Sequence, residues 1–191
     1  MTSPAQVLEF WFGVPGSPEA QQARREWFAK DAAFDAEIGR RFGATIEAAL
    51  AGALEGWAQA PHPALALIVV LDQFTRNVFR DTPRAFSGDP AALALARSVV
   101  DRGWHEQLAP LQRVFVYLPF EHSEDIVDQC ESLRLFGLLR DDPQAGGMLE
   151  WAIKHYDVVE RFGRFPHRNA ILGRESTPQE LEFLTGPGSR F

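Results

Sequence analysis

The chain has 191 residues, of which 46% are hydrophobic, and it carries a formal net charge of −7 at pH 7. A chain of this length and apolar content can bury a substantial core, which excludes intrinsic disorder as a description of the whole. The acidic balance argues against a general nucleic-acid or anionic-membrane binder, because both kinds of partner attract a positively charged face.

Capping chemistry and apolar spacing predict helices along the chain. Ser17-Pro18, Asp89-Pro90 and Thr177-Pro178 each place an oxygen-bearing residue before a proline, which is typical of a helix N-terminus. Glu180 adds a capping box to the last of these. Alternating β-branched segments between Asn-Gly or Asp-Gly turns are missing. We therefore predict an all-α fold of about nine helices, near residues 4–12, 18–29, 31–54, 63–80, 89–102, 110–118, 121–140, 144–162 and 177–185.

The predicted connections between these helices are short and contain glycine or proline, as at 13–18, 81–83 and 141–143. Short connections favour antiparallel packing of neighbouring helices. No linker rich in serine and glycine divides the sequence. We predict one all-helical domain that spans residues 1–191.

Cysteine content and the length of the apolar runs indicate where in the cell the protein is located. Cys130 is the only cysteine, which excludes an intramolecular disulfide and a four-thiolate metal site. The first residues lack the basic leader and cleavage site of a signal peptide. The longest apolar run, at 64–71, is far shorter than the ~20 residues of a membrane helix. We expect a cytoplasmic protein without a nucleic-acid or membrane partner, and nothing in the sequence indicates a cofactor or a particular oligomeric state.

Several polar residues occupy positions where helical periodicity predicts burial. Asp72 continues the apolar row of Leu65, and Arg76 follows four residues later, within reach of an ion pair. His122 and His155 face the apolar sides of predicted helices 121–140 and 144–162. These positions are candidates for a buried polar site.

Residues 163–176, GRFPHRNAILGRES, interrupt the helical pattern. The basic residues of this stretch are Arg164, His167, Arg168 and Arg174. A long polar loop in a compact helical protein is more often functional or mobile than accidental. We therefore look for the chemistry of the protein in this loop.

Four segments carry a resemblance to a known family: VLEFWFG at 7–13, LDQFTRNVFR at 71–80, LPFEHSED at 118–125 and RFGRFPHRNAILGRESTPQE at 161–180. Together they resemble a bacterial family of uncharacterised proteins, domain of unknown function 924, over nearly the whole chain. The resemblance implies stacked helical hairpins similar to tetratricopeptide repeats (TPR-like), and it brings no established activity. Thr75 departs from the family pattern, which usually has proline there.

Converging arginines predict a site for a small anion. A guanidinium stays charged and its planar donors match carboxylate or phosphate. Segment 161–174 contains four arginines and no carboxylate. The candidate ligand-binding residues are Asp72, Arg76, Asn77, Arg80, His155, Arg164, His167, Arg168, Asn169 and Arg174.

A second hypothesis is a hydrolase or transferase. Glu121 or Glu124 would be the general base beside His122, and arginines would hold an anionic substrate or developing charge. No nucleophile elbow, Walker loop or G-x-G-x-x-G motif points to a particular enzyme class.

Two further alternatives give the arginines other roles. In a buried ion network, Asp72 would pair with Arg76, and Glu121 or Glu124 would pair with an arginine of the loop. In a peptide-binding module, arginines would clamp a C-terminal carboxylate in a groove between hairpins.

A metal site built from His122, His155 and His167 is disfavoured. No two histidines share one helix face, and the adjacent arginines would repel a cation. We predict no metal site.

Overall fold

The computed structural model describes residues 2–18, 20 and 22–189, and helices are the regular secondary structure of these residues. The α-helices are α1 Pro4–Phe12, α2 Ala32–Leu50, α3 Pro61–Ile68, α4 Thr75–Val78, α5 Asp89–Asp101, α6 Pro110–Glu121, α7 Ile126–Gly137, α8 Met148–Phe162 and α9 Pro178–Thr185. Short 3₁₀ turns lie between several of them. The predicted all-α fold is confirmed.

A continuous helix made of α3, the π-helical segment Val69–Phe74 and α4 runs through the core, where every residue from 64 to 74 is buried. The hydroxyl of Thr75 donates to the carbonyl of Leu71 at 2.7 Å, and the guanidinium of Arg76 donates to the carbonyl of Asp72 at 2.8 Å. Wide π turns of this kind are frequent at functional sites. Because α3 and α4 are continuous, the described residues form eight separate helices.

The predicted helix at 18–29 is wrong over the residues that the structure describes there. The described residues there contain no α-helix: Ala20 has 3₁₀ conformation, a 3₁₀ turn is present at Arg25–Trp27, and positions 19 and 21 lie outside the described residues. The side chains of this stretch serve the end of α1 instead. Arg24 donates to the carbonyls of Phe10 and Trp11 at 2.7 and 3.0 Å, and the indole of Trp27 donates to Trp11 at 3.0 Å. These donors satisfy carbonyls that the end of a helix leaves unpaired.

The predicted helix at 121–140 begins too early. Helix α6 continues to Glu121, beyond its predicted end at 118, and His122 is its C-cap. Helix α7 begins only after Asp125, whose carboxylate accepts from the backbone N–H of Val127 at 2.8 Å. His122 therefore lies at the junction of two helices rather than on a helix face.

The predicted N-terminal cap is present at helix α9 but not at helix α5. The capping box is present at α9, where Thr177 accepts from the N–H of Glu180 at 3.2 Å and Glu180 accepts from the N–H of Thr177 at 2.7 Å. At α5 the N-cap is Gly88, so Asp89 lies in the first turn and its carboxylate is available to another partner.

Consecutive helices α5, α6, α7 and α8 pack each against the next, while α1 and α5 pack against α3 and α2 packs against the π segment. This arrangement is compatible with the stacked hairpins that the family resemblance implies. Helix α2 ends at Leu50 rather than at 54, and a turn follows in which Gly52 has a φ of 74°. Among the described helices, none combines the length and the apolar character needed to cross a bilayer.

Candidate functional site

Polar side chains from five parts of the chain meet beside the π segment. They come from that segment and α4, from the start of α5, from the end of α6, from α8 and from the loop after α8. We call this group the central cluster. Its members are Asp72, Arg76, Asp89, Glu121, His122, His155, His167 and Arg168.

Asp72 lies at the centre of the cluster and is fully buried. Its Oδ1 lies 3.1 Å from Nη1 of Arg76 and 2.8 Å from Nδ1 of His122, and its Oδ2 accepts from Nε2 of Gln73 at 2.6 Å. Burial by itself would raise the pKa of Asp72, but the charge of Arg76 and the contact with His122 outweigh it and lower that pKa. Asp72 is therefore an ionised carboxylate inside the protein.

Arg76 makes the predicted ion pair with Asp72 and also a two-pronged pair with Asp89. Its Nη1 and Nη2 donate to the two carboxylate oxygens of Asp89 at 2.7 and 2.9 Å. The backbone before Asp89 approaches the π segment so closely that a Cβ at Gly88 would lie 2.1 Å from the carbonyl oxygen of Leu71. Sequence reasoning missed Asp89 as a site residue because its proline neighbour marked it as a helix cap.

Glu121 is buried against His155. Its Oε1 lies 3.3 Å from Nδ1 of His155, and its buried Oε2 has no hydrogen-bond partner among the described residues. Burial, with the charge of Asp72 as a second cause, raises the pKa of Glu121 to about 8. Burial also lowers the pKa of His155 to about 3, against the opposing effect of the Trp151 carbonyl. Near pH 7 this pair is therefore a neutral acid beside a neutral imidazole.

The candidate catalytic residues Glu121, His122 and Glu124 have three different partners. Glu121 contacts His155 and Glu124 binds the loop, whereas His122 contacts Asp72. Burial, followed by the charge of Arg76, lowers the pKa of His122 although Asp72 opposes both effects. Among the described residues, neither glutamate forms a hydrogen bond or ion pair with the ring of His122.

Glu124 connects the α6–α7 junction to the loop at 163–176. Its carboxylate accepts two bonds from the guanidinium of Arg174, at 2.6 and 2.9 Å, and one from the backbone N–H of Phe165 at 2.7 Å. Burial raises the pKa of Glu124, but these bonds outweigh the burial and the net pKa is lowered. Glu124 is thus an occupied carboxylate that holds the loop in place.

Arg164 and Asn169 organise the far end of the same loop around α9. Arg164 binds both carboxylate oxygens of Glu180 at 2.6 and 2.8 Å. Asn169 donates to the hydroxyl of Ser176 at 3.0 Å and accepts from Arg174 at 3.0 Å. In this structure both predicted ligand-binding residues are bonded within the loop and α9.

Asn77 and Arg80 pair with α2 rather than with the central cluster. Asn77 donates to Oδ1 of Asp35 at 2.6 Å, and Arg80 binds both carboxylate oxygens of Asp35 at 2.5 and 3.0 Å. Asp35 was missed because nothing in its local pattern distinguishes it from other surface carboxylates.

Arg168 differs from the other four candidate arginines. Its guanidinium packs over the rings of Phe86 and Phe165, with the Cζ atom 4.8 and 4.5 Å from the ring centres. The contact with Asp89 is 3.7 Å long, and the buried Nε has no hydrogen-bond partner among the described residues. Burial, with the charge of Arg76 as the next cause, lowers the pKa of Arg168 to about 10. The pKa of nearby His167 is lowered to about 4 by burial and then by Arg168.

Four members of the cluster, Arg76, Asp89, His122 and His167, are partly exposed, and we call the first three of them the rim. The side chains of Arg76, Asp89 and His122 form it and are 19%, 22% and 15% exposed. Two surface grooves lie elsewhere, one beside α1 and α2 and one along α7. A ligand of the central cluster would therefore enter at the rim.

In the described part of the chain, no three His, Cys, Asp or Glu side chains are grouped so that they could hold a metal ion.

Comparisons with known proteins agree with this fold. A family model described as a bacterial protein of unknown function (DUF924) matches residues 7–188, and the chain belongs to this family. A solved structure of a protein of unknown function from Agrobacterium tumefaciens is 41% identical and aligns with a TM-score of 0.83, covering 95% of this chain and 96% of that one. The comparison with curated proteins finds no match. The predicted family resemblance is confirmed.

Proposed function

We propose that this protein binds a small carboxylate- or phosphate-bearing ligand at Arg168, with entry at the rim. The supporting observation is the pairing of the arginines. Each of the other four candidates has a carboxylate within hydrogen-bonding distance. Among the described residues, the ion pair of Arg168 is a 3.7 Å contact with an Asp89 oxygen that already accepts from Arg76 at 2.9 Å.

The setting of Arg168 suits an anion in two ways. A buried charge with incomplete hydrogen bonding is unfavourable. An anion that supplies hydrogen-bond acceptors therefore binds with a more favourable free energy there than at an exposed arginine. The rings of Phe86 and Phe165 cover the guanidinium through cation–π contacts. Donors at the edge of the guanidinium then match the oxygens of a carboxylate or phosphate.

The experiment is a thermal-shift and denaturant-unfolding titration with sodium phosphate and sodium succinate. We expect a ligand at 100 times its dissociation constant to add about 2.7 kcal/mol to the free energy of unfolding. The Arg168→Met variant should lose this gain. Arg140→Met, at an exposed arginine whose side chain donates to the Gly137 carbonyl at 3.0 Å, is the matched control and should keep it. A wild type that no anion stabilises, with an Arg168→Met variant that melts much lower, would instead assign Arg168 to a structural ion network.

Acid–base catalysis is the second candidate, and Glu121 supports it. Its pKa of about 8 keeps a proton available near neutral pH, and Oε2 is unbonded among the described residues. We propose Glu121 as a proton donor in a hydrolase or transferase, and we leave Glu124 out of this role because Arg174 occupies it. Loss of turnover in Glu121→Gln with retained anion binding would support this role; unchanged turnover would refute it.

We also propose a cytoplasmic location, because the single exposed Cys130 suits a reducing compartment.

The anion at Arg168 could instead be the C-terminal carboxylate of a bound peptide. A peptide would protect the surfaces of the helical hairpins from hydrogen exchange, whereas a small anion would leave their exchange unchanged.

A further inference from the structure

We propose that His122, oriented by Asp72, is a general base that activates water for hydrolysis of an ester that also carries a carboxylate. The substrate class rests on the proposed anion binding at Arg168. The assignment of the base rests on a separate set of contacts around His122.

The contacts of Asp72 determine which nitrogen of His122 carries a proton. Gln73 and Arg76 donate to the buried carboxylate at 2.6 and 3.1 Å, which keeps it ionised and able only to accept. The 2.8 Å contact with Nδ1 of His122 is therefore an Nδ1–H donor bond to Oδ1. In the neutral ring, Nε2 then has a lone pair, which is the arrangement of the His–Asp pair in serine hydrolases.

The unprotonated nitrogen is available to a substrate. Within the described residues, the hydrogen bonds of His122 are the one to Asp72 and a backbone bond from its N–H to the Leu118 carbonyl at 2.8 Å. Among the residues that the structure describes, no hydrogen bond to the Nε2 atom is formed, and the side chain is 15% exposed at the rim. Burial and the charge of Arg76 favour the neutral ring that a base requires.

The backbone on both sides of His122 is held by one buried side chain. Nε2 of Gln129, which is fully buried, donates to the carbonyl of Glu121 at 2.7 Å and to that of Ser123 at 2.6 Å. Fixed backbone and a fixed ring orientation keep the geometry of a base ready before the substrate arrives.

The proposed step balances with water as the second reactant. A water molecule transfers a proton to Nε2 of His122 while its oxygen bonds to the carbonyl carbon of the ester. The carbon–oxygen bond to the alcohol then breaks, and the imidazolium returns the proton to the departing oxygen. The products are a carboxylic acid and an alcohol. The carboxylate of Asp72 stabilises the transient imidazolium, and Arg168 holds the separate carboxylate of the substrate.

The test compares hydrolysis of two probes, mono-4-nitrophenyl succinate and the uncharged 4-nitrophenyl acetate. We expect His122→Gln to lower kcat/KM at least tenfold for both, since a positioned base contributes about 10²–10⁴-fold. His62→Gln, the same change at an exposed histidine, should leave both rates unchanged. Arg168→Met should bring the ratio of the two kcat/KM values toward one. A His122→Gln rate within twofold of wild type would overturn the assignment of the base.

The two proposals can fail separately. If succinate stabilises the protein through Arg168 while His122→Gln hydrolyses the probes as fast as wild type, anion binding stands and the base assignment is refuted. If His122→Gln alone loses hydrolysis and the succinate preference survives in Arg168→Met, the base stands and the proposed anion site fails.

A measurement on the unmodified protein covers the case in which a variant does not fold. ¹⁵N–¹H long-range correlation spectra of the wild type assign the proton on each histidine ring. We expect Nδ1–H and an unprotonated Nε2 for His122 at pH 7. The opposite tautomer, or a ring with both nitrogens protonated, would overturn the proposal without any variant.

Discussion

Replacing Glu121 by glutamine tests the most unusual electrostatic feature of the central cluster, a buried carboxyl group whose Oε2 atom has no hydrogen-bond partner among the described residues. Glutamine has nearly the same shape but cannot ionise. The pKa of Glu121 is raised from 4.5 to about 8, with burial as the main cause and the charge of Asp72 as the second. Its ionised form is therefore strongly disfavoured in the folded protein.

The sign and size of the effect follow from proton linkage. Below pH 4.5 the carboxyl is protonated in both the folded and the unfolded chain, and it makes its full contribution to stability. Between pH 4.5 and about 8 only the unfolded chain ionises, so the free energy of unfolding falls as the pH rises. The wild type should therefore lose about 4 kcal/mol relative to Glu121→Gln between pH 5 and pH 9.

Neighbouring histidines change the free energy of unfolding with pH in the opposite sense, and this contribution cancels when wild type and Glu121→Gln are compared. The pKa values of His122, His155 and His167 are lowered, mainly by burial, so their contribution to stability is present above pH 6.5 and is lost as the pH falls below it. Wild type and Glu121→Gln share this loss. The difference between the two proteins therefore isolates the single carboxyl group.

The assay is urea unfolding followed by circular dichroism at five pH values from 5 to 9. Glu182→Gln, at an exposed position of α9, is the control and should differ from wild type by less than about 0.5 kcal/mol at every pH. A constant difference between Glu121→Gln and wild type across the whole range would refute the reasoning. It would mean that Glu121 is ionised in the folded protein and has a partner that compensates its charge.

Two further predictions concern how the cluster is built. Gly88→Ala should destabilise the protein by about 3 kcal/mol or more, because its Cβ would lie 2.1 Å from the Leu71 carbonyl. Gly43→Ala, where a Cβ meets nothing within 4 Å, should be neutral or stabilise by up to about 1 kcal/mol, and equal melting temperatures for the two variants would contradict the close approach. Arg174→Met should cost about 1–2 kcal/mol, since the pair with Glu124 is two-pronged but partly exposed. It should also speed hydrogen exchange of the Phe165 amide, and an unchanged exchange rate would show that Glu124 holds the loop without Arg174.

Local physics made parts of the fold predictable. The capping box of Thr177 and Glu180 depends on residues three apart, and it forms as predicted. The buried run at 64–71 is apolar on every side, so it could only be a core helix. Residues 18–29 show the limit of this reasoning, because Arg24 and Trp27 bond to the end of α1 instead of extending a helix of their own.

Some members of the central cluster were predictable from the sequence, but their pairing was not. Spacing placed Arg76 one helical turn from Asp72, and that ion pair is present at 3.1 Å. The carboxylates that neutralise most of the predicted arginines come from distant parts of the chain, such as Asp35 on α2 and Asp89 on α5. A local pattern gives no signal for such a partner, because a surface carboxylate and a buried one look alike in sequence.

The sequence by itself determined an all-helical chain, its family, its buried central helix and the polar residues that interrupt the apolar pattern, since each follows from chemistry within a few residues. Only the tertiary structure decided that Arg168 contacts a carboxylate of Asp89 at 3.7 Å, that Oε2 of the buried Glu121 has no hydrogen-bond partner among the described residues, and that Asp72 contacts the ring of His122. The physical reason is that the charge state and the free acceptors of a buried group depend on everything packed around it. In this protein those neighbours come from distant parts of the chain, as the contact between Asp89 and Arg168 shows.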